Sequence, residues 1–315
     1  MKDTTLLILF GLIFLMLGLG FFRVSSRLCR IESAMNKGQT AGVADPPPDA
    51  YPMAVSYDLP ETLDFAGEPV PLHRKEIREQ LDKEMQINIY FHSNTMFLIK
   101  RANRWLPEFE KILREQNIPD DFKYMPLIES ALINDISPRQ AVGFWQFIKT
   151  AGKEFDLEIN REVDERYDPI KSTVAACKYL RKAHDRFNNW TLAAASYDRG
   201  MSGLNRALDR QHVDSYYDLY LNEETTRYVF RILAIKQIIE NPEAYGFRVD
   251  TKHLYQPDSV RHVEVNETIP DLISFAKEKG ITYKILKLYN PWLRDDRLTV
   301  RRGKTYQLAL PAIPG

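Results

Sequence analysis

Ile77, Leu81, Met85 and Ile89, then Phe97, Leu98, Trp105, Phe109, Ile112 and Leu113, recur at steps of three and four residues. A helix turns once in about 3.6 residues, so that step lines the side chains up on one face, and residues 76–116 are predicted helical. The same pattern returns over 120–132, 143–155, 170–187, 190–207 and 224–240. Pro119, Pro138, Asp168-Pro169 and Asn188-Asn189 punctuate these stretches. The block 72–242 therefore reads as all-α.

After Asn241-Pro242 the character changes. Residues 262–266 and 305–310 alternate as short strands do, and 269–279 and 283–288 between them have helical spacing. A β-α-α-β unit over 262–311 is close to the smallest size that holds its own core, so it is expected to lean on the larger block. Residues 243–261 read as a linker.

The amino-terminal end is made of different material. Residues 1–5 form a short flank, and 6–22 are apolar or glycine without a charge, which reads as a transmembrane signal anchor. Residues 23–71, with Pro46-Pro47-Pro48, Pro52, Pro60, Pro69 and Pro71, read as a proline-containing tether. Ser26-Arg27-Leu28 ahead of Cys29 lacks the small pair of a lipoprotein processing site. Lys2 before the apolar run and Arg23, Arg27 and Arg30 after it would by charge alone keep the remainder cytoplasmic.

Composition excludes several function classes. Lys+Arg 43 against Asp+Glu 43 gives no net charge, and no basic stripe stands out, so no nucleic-acid partner is expected. Cys29 and Cys177 are too few for a disulfide framework, and neither they nor the six histidines have metal-ligand spacing. No phosphate loop or dinucleotide fingerprint is present, and no cofactor or metal is expected.

Glu129 is the carboxylate of interest. It sits among Met125, Leu127, Ile128, Ala131 and Leu132, where desolvation would raise its pKa and let it donate a proton near neutrality. In isolation the more ordinary reading is a solvent-facing glutamate of an amphipathic helix. Its company is more specific: Tyr124-Met-Pro-Leu-Ile-Glu-Ser130, Gly143-Phe-Trp-Gln146, Val163-Asp-Glu-Arg166 followed by Asp168-Pro169, Ser196-Tyr197-Asp198, and Thr226-Arg-Tyr-Val229.

In this order and at these separations the motifs resemble the lytic transglycosylases of the goose-type lysozyme fold, nearest the membrane-bound murein type that joins such a domain to LysM modules. The resemblance covers roughly 105–240 and 262–311. It implies a mainly α protein, with a lysozyme-like all-α catalytic domain over 72–242 and a small βααβ LysM-like module behind it. It also implies a substrate, the glycan strands of peptidoglycan, and an envelope location outside the cytoplasmic membrane, with the amino-terminal segment in that membrane.

Carried over position by position, Glu129 is the catalytic acid and base, and Ser130 the hydroxyl beside it. Gln146 is a sugar-contacting amide, and Tyr197 and Tyr228 are tyrosines of the site. Trp145 is a candidate sugar-stacking ring, with core packing as its ordinary alternative. The family's Ala-Tyr-Asn motif reads Ser196-Tyr197-Asp198 here. Asp198 thus introduces a second carboxylate where the family carries an amide that can donate. The implied reaction is non-hydrolytic cleavage of the MurNAc–GlcNAc bond, leaving a 1,6-anhydromuramyl end. A hydrolytic muramidase using Asp198, or a glycan-binding scaffold with a decayed site, are the alternatives. In the carboxy-terminal module, Asn266-Glu267-Thr268 stands where LysM modules usually carry Gly-Asp-Thr.

Overall fold

The structure, a computed structural model, describes residues 55–312. The expected flank 1–5, the anchor 6–22 and most of the tether 23–71 lie outside the described residues. Among the described residues no helix is long and apolar enough to cross a membrane.

A hairpin of β1 (Asp64–Phe65) and β2 (Glu68–Pro69) leads into two long helices, α1 (Lys75–Tyr90) and α2 (His92–Glu115). After a 3₁₀ turn, Asp120–Tyr124, come α3 (Met125–Ser130), α4 (Lys149–Glu154), α5 (Pro169–Phe187), α6 (Trp190–Arg199), α7 (Met201–Gln211) and α8 (Glu223–Glu240). Helix α8 is the centre of the bundle. Val229, Phe230, Ile232, Leu233, Ala234, Ile235 and Ile238 are all buried, so it is apolar nearly all round, as a helix enclosed by others must be. Its buried Lys236 is held by Asp121 Oδ2 at 2.8 Å and the Asp64 carbonyl at 3.1 Å, which keeps the ammonium paired inside the core.

Several boundaries differ from expectation, each for a local reason. Residues 143–147 are not helical, because Gly143 (φ +80°) and Gln146 (φ +48°) are both in the left-handed region. A Cβ at Gly143 would stand 2.0 Å from the Arg166 carbonyl oxygen, so only glycine fits there. The stretch 190–207 breaks into α6 and α7 at Gly200 (φ +79°). Helix α3 stops at Ala131 and Leu132, two successive left-handed residues just beyond Glu129 and Ser130. A non-glycine residue held there costs roughly 1–2 kcal/mol, and the buried Leu132 side chain is the anchor that offsets it.

The expected tether does not extend to residue 71. Phe65, Val70 and Leu72 are core residues, and Tyr57, Leu59 and Leu63 pack against them. The Glu68 carboxylate accepts from the Trp190 and Thr191 amides at 2.6 and 2.8 Å, capping α6 from a distant segment. The expected linker 243–261 is likewise attached. Tyr245 and Phe247 are buried, and the carbonyls of Tyr255 and Gln256 accept from Asn103 and Arg104 on α2.

The carboxy-terminal unit has the expected order: β3 (Val260–Val265), α9 (Leu272–Glu278), α10 (Tyr283–Tyr289) and β4 (Tyr306–Pro311). The strands are antiparallel, with Val260 opposite Pro311 and Val265 opposite Tyr306. Asp271 and Thr282 cap the two helices, and the fully buried Asn290 joins the end of α10 to Ala309 on β4 through both its amide groups.

Candidate active site

Three elements meet around Glu129. Pro126 in the first turn of α3 suits a position that needs no N–H donor, and the six-residue helix then points Glu129 and Ser130 into a cavity of about 440 Å³. Leu98 and Asn94 of α2 line one side of it, Arg231 and Ile235 of α8 another, and Asp135, Ser137 and Gln146 the rim.

Glu129 is half-buried and its Oε1 accepts from Tyr228 Oη at 2.5 Å. Burial pushes its pKa up to about 7. The Tyr228 hydroxyl and the Arg231 charge oppose that rise, and Asp198 and Glu224 add to it. Arg231 donates to the Ile128 carbonyl at 2.7 Å, so its guanidinium is fixed beside the carboxyl. A carboxyl poised near neutrality can give a proton and take one back, which is what a single acid–base group must do.

The other residues expected in the site divide by what their polar atoms reach. Ser130 Oγ donates to backbone carbonyls, Pro126 at 3.2 Å and Phe144 at 3.0 Å, and so ties α3 to the 143–147 loop. Gln146 lines the cavity, with its amide nitrogen on the Gly143 carbonyl at 2.8 Å and its oxygen free of that bond. Tyr228 is buried beneath Glu129 and touches it directly. Tyr197 does not line the cavity; its hydroxyl donates to the Trp145 carbonyl at 2.7 Å, and its ring packs edge-on against Trp145, Phe147 and Tyr179.

Trp145 is displaced from the expected role. It is 0% exposed, its indole N–H donates to Thr173 Oγ1 at 2.7 Å, and no ring face is left for a sugar. Asp198, in the last turn of α6, also lies off the cavity. Its Oδ2 accepts from Thr225 Oγ1 at 2.6 Å, and burial raises its pKa.

Two charged cavity residues were not among the expected ones. Asp135 puts a second carboxyl on the rim, where Oδ1 accepts from the Ile136 amide at 2.7 Å. Arg231 lies three residues beyond Tyr228, on the same face of α8 one turn on; that spacing was the available signal. Asp135 sits in an irregular loop whose sequence gives no such period.

Among the described residues no group of three or more His, Cys, Asp or Glu side chains could hold a metal ion.

The chain contains an SLT transglycosylase domain followed by a LysM-like carboxy-terminal domain. Residues 108–219 match the family "Transglycosylase SLT domain", and residues 261–313 match the "Soluble lytic transglycosylase C-terminal LysM-like domain". Among individual proteins the chain is similar to the membrane-bound lytic murein transglycosylase D of Escherichia coli K12. The two are 27% identical over 228 residues, covering 70% of this chain and 49% of that protein. The same protein from Escherichia coli O6:H1 matches equally. A protein of Alteromonas sp. (strain M-1) named for tributyltin chloride resistance is 32% identical over 122 residues, 38% of this chain and 59% of that one. The chain spans about half the length of the Escherichia coli relatives it matches.

Proposed function

We propose that this chain is a peptidoglycan lytic transglycosylase in which Glu129 is both acid and base. Protonated Glu129 gives its proton to the glycosidic oxygen between MurNAc and GlcNAc, and the bond from the muramyl C1 to that oxygen breaks. Positive charge then develops at C1, where the substrate's own N-acetyl group can stabilise it. The ionised Glu129 takes the proton of the muramyl 6-hydroxyl, whose oxygen bonds to C1 and closes the 1,6-anhydro ring. The proton balance closes on one residue and no water is consumed.

The observation that carries this reading is the Glu129 carboxyl, raised to about 7 at the wall of the cavity beside Gln146 and Arg231. Tyr228 holds the carboxyl in place, Gln146 offers an amide to a sugar, and Ser130 and Tyr197 position the backbone of the Gly143–Gln146 turn. Asp198 acts through α8 and not on the sugar, in keeping with its bond to Thr225.

The working location is the cell envelope, on the side of the cytoplasmic membrane where peptidoglycan lies. The apolar run 6–22 would hold the enzyme to that membrane, a reading supported by the name of the Escherichia coli relatives, which calls them membrane-bound. Digestion of purified sacculi by the wild type and by Glu129→Gln, with products read by mass, tests the assignment. Anhydromuramyl ends that depend on Glu129 are expected; absence of any glycan cleavage by the wild type would overturn it.

A further inference from the structure

We infer that the LysM-like unit is a brace for the cavity wall: it clamps residues 158–164, and Arg166 passes that restraint to the loop that carries Gln146. The structural half of this inference stands on geometry alone, while its kinetic half rests on the proposed function.

The clamp is made by backbone as well as side chains. Val163 forms a β-bridge with Leu293, the Asp164 amide donates to the Trp292 carbonyl at 2.9 Å, and the Arg294 amide donates to the Glu162 carbonyl at 2.7 Å. The Glu162 carboxylate accepts from the Thr299 amide at 2.6 Å and forms an ion pair with Arg297, whose Nε lies 3.2 Å away. Glu158 accepts from Lys304 and from the Tyr306 hydroxyl, and the Arg294 guanidinium lies 3.9 Å above the Tyr167 ring. Val142, Val163 and Tyr167 are buried in one apolar cluster with Leu272, Leu286, Leu293 and Leu308. The small unit thus completes its core with residues of the larger one.

The clamped segment also holds the wall. Arg166 is gripped by Asp164 through two parallel bonds, 2.9 and 2.7 Å. Its remaining Nη1 donates to the carbonyls of Gln140 at 3.2 Å and Phe147 at 3.1 Å, one on each flank of the Gly143–Gln146 turn. The Arg166 carbonyl abuts Gly143, where no Cβ would fit. Val142, next to Gly143, belongs to the apolar cluster of the LysM-like unit itself. Loosening the clamp frees the turn that places Gln146 on the cavity and accepts the Ser130 hydroxyl at Phe144. A module acting only as a glycan tether would have no such effect on a short substrate.

The test uses the full chain with Glu162→Ala and Arg294→Ala combined, neither residue lying on the cavity. Amide hydrogen exchange over 140–147 is expected to speed up at least tenfold while α8 is unchanged. With a short soluble glycan of alternating GlcNAc and MurNAc, KM is expected to rise about tenfold with a smaller change in kcat. Glu162→Gln, which keeps an acceptor for the Thr299 amide, should restore most of both. Unchanged exchange over 140–147 overturns the brace, as does faster exchange spread over the whole chain. Local loosening with unchanged kinetics overturns the link to the cavity. Should the double variant not fold, Arg294→Ala alone is read the same way. A wild type that cleaves no glycan counts against the proposed function, and the exchange result still decides the brace.

Discussion

Tyr228 on α8 donates its hydroxyl to Glu129 Oε1 at 2.5 Å, joining residues 99 apart in the chain. This bond sets the balance at the carboxyl. Burial favours the neutral acid, whereas the tyrosine hydroxyl and Arg231 favour the carboxylate, and the outcome is a group that titrates about 7. Buried more deeply without these partners it would be an acid unable to return as a base.

Removing the hydroxyl should therefore move the pH profile in a defined direction. Tyr228→Phe takes away a donor that stabilises the ionised form, so the Glu129 pKa should rise. A charge-assisted bond of roughly 1.5–3 kcal/mol corresponds to about one pH unit or more. The high-pH limb of kcat/KM, where the acid is lost, should shift upward by that amount, with turnover at neutral pH reduced by about tenfold or less. A downward shift would show that the hydroxyl serves the neutral acid instead.

Glu129→Gln separates chemistry from stability. An amide cannot donate or recover the proton, so turnover should fall at least about a hundredfold. The fold should gain where the wild type must ionise a desolvated group. Because the folded pKa of Glu129 is raised, the folded state holds the extra proton between the unfolded value, about 4.5, and about 7. Its stability contribution is complete below that window and is lost as pH rises through 7. Melting curves at pH 8 should place the variant a few degrees above the wild type, at roughly 2–4 °C per kcal/mol. At pH 4 the two should nearly coincide. A variant that melts lower at pH 8 contradicts the desolvation argument.

The amino-terminal boundary of the folded part can be located by truncation. A chain beginning at residue 56 should melt as the full chain does. One beginning at Leu72 loses Phe65 and Val70 from the core and the Glu68 cap on α6. Emptying a phenylalanine site costs about 3–5 kcal/mol and a lost cap about 1 kcal/mol. Thermal melts should show that loss, and equal melting of the two chains would mean that the 56–71 segment adds nothing.

The helices and the cavity carboxyl of Glu129 were legible in the sequence because both leave a local mark: a periodic apolar face, and one charge set inside it. What escaped depends on contacts made across the chain. Phe65 and Val70 sit among prolines, with no period to announce that they are core. Gly143–Phe147 has helix-compatible residues, yet it is bent by the approach of the Arg166 carbonyl, about twenty residues away. Trp145 looked available for a sugar because sequence gives a side chain's type and not its direction. Its partner, Thr173, lies on α5. Asp135 reaches the cavity from a loop held by isolated bridges, where no pattern rule applies.

Asp198 and Asp135 are the two carboxyls that could turn the reaction toward water, and they can be told apart. Thr225 has one hydroxyl proton and two acceptors, Asp198 Oδ2 at 2.6 Å and Asn222 Oδ1 at 2.8 Å. Asn222 Oδ1 is fixed as an acceptor because Arg199 Nη1 donates to it at 2.7 Å. Asp198 Oδ2, the nearer acceptor, is thus tied to α8 through Thr225 and does not line the cavity. Asp198→Asn should leave the product unchanged and alter the rate by less than about threefold. Asp135 is exposed on the rim and already bonded to the Ile136 amide, so Asp135→Asn should also keep the anhydro product. Mass analysis of digested sacculi decides: anhydromuramyl ends alone from all three proteins support transfer within the substrate. Reducing muramic ends from the wild type that vanish in one variant would identify that aspartate as the group activating water and would replace the transglycosylase reading with hydrolysis.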